Sequence, residues 1–268
     1  SLKVKEALSN ANYVLSITAH IDESTLAAKA ALPVSHYLES WGDVEIVKGV
    51  RSVVQPAIRP LYNTSSLEDY LIQIAGGSLG GASSFHEYLK SRWADVAKGS
   101  FNDFWIKTLQ AGFLASTSLK GQAANRNFNT AALQALPVSP ETKAGLRVGL
   151  YYNVQVLDGT GANNAYRQEL PEPVTKAVWM NYAVILPETA RQMKLKQGSV
   201  IEVKTPSGSV KVPVLLQPGI HPEAILIALG YGRTAAGKIG DARGANAIEL
   251  ARVGTDSLIL SGLELAKE

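Results

Sequence analysis

At 268 residues, 46% hydrophobic and 18% charged, the chain has the length and apolar content for one large domain or two of ordinary size with a real buried core. A net charge of +3, with Arg and Lys scattered and no aromatic residues alternating with them, gives no support for nucleic-acid binding. Cysteine is absent, which excludes disulfides, cysteine nucleophiles and iron–sulfur clusters held by this segment's own thiolates; no apolar run approaches the roughly 20 residues a membrane span needs.

The chain opens Ser1-Leu2-Lys3-Val4 without a methionine or a signal-like segment and reads as a piece of something longer. Residues 4–8 suit a helix and 13–18 a buried strand. Asp22-Glu23-Ser24-Thr25 then offers a helix start, with Ser24 or Thr25 as the cap, before an apolar helix over 26–31 that Pro33 ends. His36, Glu39 and Asp43 lie close in sequence. Either they form a metal or acid–base group, or they belong to a loop whose carboxylates satisfy backbone amides above a packed Trp41; nothing in the spacing fixes the three on one face. An extended, proline-limited segment follows at 53–61, then a helix begun by Ser65-Ser66 with Leu67, Leu71, Ile72 and Ala75 at helical spacing. Two amphipathic helices are predicted over 84–97 and 102–111, their Trp and Phe stripes facing a core. Residues 115–145 have no clear period and make the best boundary, dividing the chain into 1–114, an irregular connection, and 146–268.

Beyond the boundary short strands dominate, at 150–156, 178–186, 200–204 and 210–214, with a short proline-started helix from Pro187. Pro206-Ser207-Gly208 reads as a hairpin turn pairing 200–203 with 210–214, with Gly208 at positive φ. Strands and turns at this spacing point to a small β-barrel.

Two loops stand out. Asp158-Gly159-Thr160-Gly161-Ala162-Asn163-Asn164 is rich in Gly and Asn, and the apolar run 224–229 leads into Gly230-Tyr231-Gly232-Arg233-Thr234, with Gly237, Gly240, Gly244 and Asn246 following. Glycine lets the backbone approach another group closely, and interleaved Arg and Lys supply donors suited to phosphate or carboxylate. The second loop is therefore either an anion-binding lip or a loop docked tightly on other protein. Asn163, Asn164, Gly230, Tyr231, Gly232, Arg233 and Asn246 are the candidate binding residues, expected on one rim of the barrel. Arg233 is the expected anion contact, unless it pairs with an acidic neighbour or a backbone carbonyl. No catalytic residue or metal ligand is assigned, since no nucleophile, base and orienting acid group together.

The second half resembles the molybdopterin-dinucleotide-binding domain that closes the large subunits of the dimethyl sulfoxide reductase family. The resemblance rests on Leu186-Pro187-Glu188-Thr189-Ala190 with residues 195–203, on Gly208-Ser209-Val210 and on Gly244-Ala245-Asn246. The first half resembles the stretch just upstream in that family, through residues 22–25, Leu32-Pro33, Glu39 and Gly42. Residues 36–43, 55–62, 162–164, 168–171 and 230–240 are similar to one branch, the fused molybdopterin-like and iron–sulfur subunit of alternative complex III, a quinol-oxidising membrane assembly.

The resemblance implies an α/β N-terminal part, the remnant of a Rossmann-like domain plus helices, followed by a mainly-β double-psi β-barrel over 146–268. It implies a non-catalytic scaffold fragment of a respiratory electron-transfer complex with no cofactor of its own. The alternative it leaves open is a module holding the dinucleotide part of molybdopterin guanine dinucleotide in an active oxidoreductase. Iron–sulfur clusters would lie only in a part following Glu268. Expected partners are other subunits of the complex and other domains of the same polypeptide, with no nucleic acid and no direct membrane insertion, on the periplasmic face of the cytoplasmic membrane.

Overall fold

A computed structural model describes residues 4–115, 127–134, 145–251 and 258–267. The chain forms two compact units that do not follow chain order. One takes Leu15–Ala19 and Lys29–Leu133; the other takes Ser1–Val14, His20–Ala28 and Gln134–Glu268. Most of the expected irregular connection, at 116–126 and 135–144, lies outside the described residues.

In the first unit, β1 (Leu15–Thr18) pairs in parallel with β2 (Ala30–Pro33), Leu15 opposite Ala30. The helix expected over 26–31 is absent. Between the two strands, in the stretch 20–28 that belongs to the other unit, a single turn, Glu23–Leu26, is capped by Asp22, whose side chain accepts from Thr25 N, so neither Ser24 nor Thr25 is the cap. Residues 30–33 are extended instead: Pro33 disfavours helix at the residue before it, and β1 offers an edge to pair with.

The strands β3 (Gly42–Val47), β4 (Val50–Val54) and β5 (Phe113–Ala115) form an antiparallel sheet in that order. Helices Leu67–Ile74 and Phe85–Ala94 begin at Ser66 and Ser84, each hydroxyl accepting the third backbone N–H of its helix. A third helix, Phe101–Ala111, ends at Gly112 with φ +78°. As the stripes imply, Leu89, Trp93 and Trp105 are the buried core here.

The second unit is built on a seven-stranded mixed sheet of β6 (Arg147–Tyr151), β7 (Ala183–Ile185), β8 (Val200–Thr205), β9 (Gly208–Leu216), β10 (Ala224–Ala228), β11 (Ile259–Ser261) and β12 (Glu264–Lys267). Its order is β11-β6-β10-β7-β9-β8-β12, with β6–β10 and β7–β9 parallel. Alternate residues Val148 and Leu150, Ile201 and Val203, Val210, Val212 and Val214, and Ile225 and Ile227 fill one core. Two strands are shorter than their sequence pattern. After Tyr151 the Asn153 side chain accepts Val156 N and turns the chain, and positive φ at Lys176 and Trp179 holds the start of 178–186 out of the sheet.

The β8–β9 hairpin forms as expected, with Val203 opposite Val210 and Thr205 opposite Gly208. Gly208 does not adopt positive φ. Its requirement for glycine is steric: a Cβ there would lie 2.5 Å from the Glu249 carbonyl oxygen.

The sheet is strongly curled. Strands β11 and β12 occupy opposite edges, yet only Gly262 and Leu263 separate them. A flat sheet of this order would hold its edge strands about 29 Å apart, at roughly 4.8 Å per strand. Three peptide steps span at most about 11 Å, so the edges curve round towards one another.

Candidate functional site

The two glycine-rich loops meet within the second unit. Gly230, at φ +89°, lies so close to the first loop that a Cβ would stand 2.5 Å from the Leu157 carbonyl oxygen. Gly232, at φ +73°, backs onto the main chain of Ala245 and Asn246, leaving no room for a Cβ. Gly237 rests against the Asn163 side chain, whose Oδ1 accepts Ile239 N at 3.2 Å. The loop from 230 to 246 is folded on itself. Asp241 Oδ1 accepts the N–H groups of Ala236 and Gly237, Ala242 N donates to Arg233 O, and Gly232 N donates to Arg243 O.

Six of the seven sequence-predicted residues thus converge: Asn163, Gly230, Tyr231, Gly232, Arg233 and Asn246. Each has a protein partner. Tyr231 is buried, its hydroxyl donating to Gln155 Oε1 at 3.0 Å, and burial pushes its titration up. Asn246 Nδ2 donates to Glu249. Asn164 is engaged nearby as the cap of the helix Ala165–Glu169, accepting Arg167 N.

Arg233 carries the chemistry of the cluster, and its partner is Glu23. Its Nε lies 3.0 Å from both carboxylate oxygens and Nη2 lies 2.6 Å from Oε2. Thr234 N and Ala235 N donate to Oε1 at 2.8 and 3.1 Å. Nη1 is held from behind by the Gly159 carbonyl at 3.1 Å. The pair is partly exposed, at 27% for Arg233 and 39% for Glu23. Hydrogen bonding to the guanidinium, aided by the two amides, holds the Glu23 carboxyl far below the usual carboxylate range and raises Arg233. An acidic neighbour and a backbone carbonyl are therefore the partners Arg233 has.

A guanidinium fork beside two successive amides is the donor set a phosphate would use, but Glu23 fills it. The remaining glycines are packed against protein rather than open to a ligand. As they stand, these residues do not fit the phosphates of a dinucleotide.

The sequence reading missed the buried amides that hold the site. Asn181, 1% exposed, donates from Nδ2 to the carbonyls of Ala228 and Ala245, both at 2.8 Å, and accepts Ala245 N at 2.9 Å. Gln155 and Gln168, also buried, bind loop carbonyls through their amide nitrogens. For Asn181 and Gln155 an amide side chain inside an apolar run was the available signal; Gln168, between Arg167 and Glu169, offered none.

The His36, Glu39 and Asp43 group does not assemble. Glu39 accepts His36 N and Leu61 N, while Asp43 accepts the Trp93 indole N–H at 2.9 Å rather than a backbone amide. Trp41 stacks on His86 with centroids 4.2 Å apart. Among the described residues no group of three or more His, Asp or Glu could hold a metal ion, and no helix is long and apolar enough to cross a membrane.

Residues 153–257 match the family described as the molydopterin dinucleotide binding domain. Over 94% of its length the chain is 29% identical to the menaquinone reductase molybdopterin-binding-like subunit of Nitratidesulfovibrio vulgaris, covering 36% of that protein. A 65-residue stretch, 24% of the chain and 9% of the relative, is 29% identical to the thiosulfate reductase molybdopterin-containing subunit PhsA of Salmonella typhimurium. Acetylene hydratase from Pelobacter acetylenicus has the same fold, with a TM-score of 0.61 at 14% identity over 88% of this chain and 37% of that one. Residues 153–257 thus match a molydopterin dinucleotide binding domain, and the chain is similar over most of its length to a molybdopterin-binding-like reductase subunit. It spans about a third of the length of the menaquinone reductase subunit it matches. The domain match points to a molybdopterin cofactor and gives no support to the expectation that the fragment has none.

Proposed function

We propose that the chain is the scaffold portion of a molybdopterin-oxidoreductase-like subunit in a quinol-oxidising respiratory complex of the alternative complex III type. The single observation that carries this is the Arg233–Glu23 pair: the donors best suited to a cofactor phosphate are engaged by the chain itself. The likeness over nearly the whole chain to a protein named molybdopterin-binding-like, rather than molybdopterin-containing, agrees with it. The curled mixed sheet supports a double-psi β-barrel, and the parallel β1–β2 pair supports a Rossmann-like remnant in the first unit. Iron–sulfur clusters then belong to other parts of the complex, the partners are other domains and subunits, and the location is the periplasmic face of the cytoplasmic membrane.

The second reading is a binding module for the dinucleotide part of molybdopterin guanine dinucleotide, favoured by the domain match over 153–257. Denaturing the purified protein and assaying the supernatant for pterin fluorescence and guanine nucleotide decides between them. The scaffold reading expects neither in stoichiometric amount; either one at one per chain overturns it.

A further inference from the structure

We propose that residues 233–235 form an oxyanion nest kept closed by the chain's own Glu23 carboxylate, which occupies the place a phosphate or pyrophosphate group would take. The inference rests on the scaffold reading and supplies its means: a site closed by an internal occupant rather than one dismantled.

Three observations carry it. The nest has the fork-and-amide donor set that grips planar or tetrahedral oxyanions, with Nε and Nη2 of Arg233 and the N–H groups of Thr234 and Ala235 aimed at one point. It is also held open by contacts in which Glu23 has no part. Gly159 O fixes Arg233 Nη1, Ala242 N fixes Arg233 O, and Asp241 fixes the amides of Ala236 and Gly237. Finally, the occupant is separable. Glu23 stands on a single helical turn held by Asp22, far from the loop in sequence, so replacing its side chain leaves the loop's own bonds in place. Asp22 and Asp158 also act on Arg233 and oppose any added anion, so affinities in the millimolar range are expected even for an opened nest.

The test uses the 268-residue chain and its Glu23→Ala and Glu23→Gln variants. Each is titrated with inorganic phosphate, inorganic pyrophosphate and guanosine diphosphate while the backbone amide resonances of Thr234 and Ala235 are followed. Expected is saturable binding of pyrophosphate by Glu23→Ala at least tenfold tighter than by the unaltered chain, with a smaller gain for Glu23→Gln. Adding Arg233→Ala to either variant abolishes the gain. Tighter binding of guanosine diphosphate than of pyrophosphate supports the proposal with a nucleotide as the displaced ligand; equal binding supports it with a free oxyanion. Equal affinity in variant and unaltered chain, or no binding by the variants, overturns it. Should Glu23→Ala fail to fold, Glu23→Gln carries the test; if neither folds, Glu23 is a folding contact and the proposal is overturned. The scaffold reading fails separately, on pterin or guanine nucleotide released from the purified protein.

Discussion

Asn181→Ala tests whether the candidate loop is held in place by one buried amide. The side chain makes three hydrogen bonds, two through Nδ2 to Ala228 O and Ala245 O and one through Oδ1 from Ala245 N, joining the end of β10 to the far end of the glycine loop. A buried polar group left without a partner costs about 1–3 kcal/mol. The Ala228 carbonyl, fully enclosed, takes about 2 kcal/mol of that and the partly buried Ala245 N–H about 0.5–1 kcal/mol, while the Ala245 carbonyl still accepts Ala247 N at 3.0 Å. The loss is thus about 3 kcal/mol, or a fall in Tm of about 6–12 °C at this chain length. Thermal unfolding by circular dichroism reads the total, and hydrogen exchange at the Ala245 amide reads the local part. Asn181→Asp sharpens the logic: it keeps the acceptor and the volume but turns a carboxylate oxygen towards two carbonyls. It is expected to destabilise at least as much at neutral pH and to recover in part on protonation. A loss under about 1 kcal/mol for Asn181→Ala, or unchanged exchange at Ala245, refutes the clamp.

Gly208→Ala should cost about 1–3 kcal/mol through overpacking against the Glu249 carbonyl, read by urea denaturation. Because Gly208 is extended, a backbone-strain account would predict rescue by a residue tolerant of left-handed geometry, and Gly208→Asn should give none. Glu23 contributes stability that is fully present above the ordinary glutamate value of about 4.3 and lost progressively as pH falls below it, because its folded titration is depressed. Acid titration of Tm should therefore be shallower in Glu23→Gln than in the unaltered chain below that value, and parallel curves would refute the pairing. Ser84→Ala removes the cap on the helix Phe85–Ala94 and should cost about 1 kcal/mol, seen as earlier unfolding by denaturant.

The second unit was more legible in sequence than the first because alternation is a strong signal. The β8–β9 register follows directly from Val and Ile facing inward on both sides of a Pro-Ser turn. Residues 26–31 show the opposite case: alanine favours helix, but parallel pairing with β1 and the restriction before Pro33 win. The two loops were legible as convergent because glycine at a close approach is a local requirement. The partner of Arg233 was not, since Glu23 lies more than two hundred positions away and reads locally as a helix-start acid. Asn181, hidden in an apolar run, gave no hint of which carbonyls it would meet.

The two-residue link between β11 and β12 bears on how the sheet can be made during synthesis. Leu260 must find Val148 and Leu265 must find Val203, so both outer pairings wait for the same ten described residues, 258–267, to leave the ribosome. Until then β6 and β8 each present a row of unpaired N–H and C=O groups to the surroundings, the form in which sheets join one another. A nascent chain stalled before residue 258 would carry two sticky edges at once, and one short segment removes both together. Such long-range closure is slow relative to local hairpin formation. The interval between the completion of β10 and the arrival of β11 is therefore when this chain has most need of a holdase.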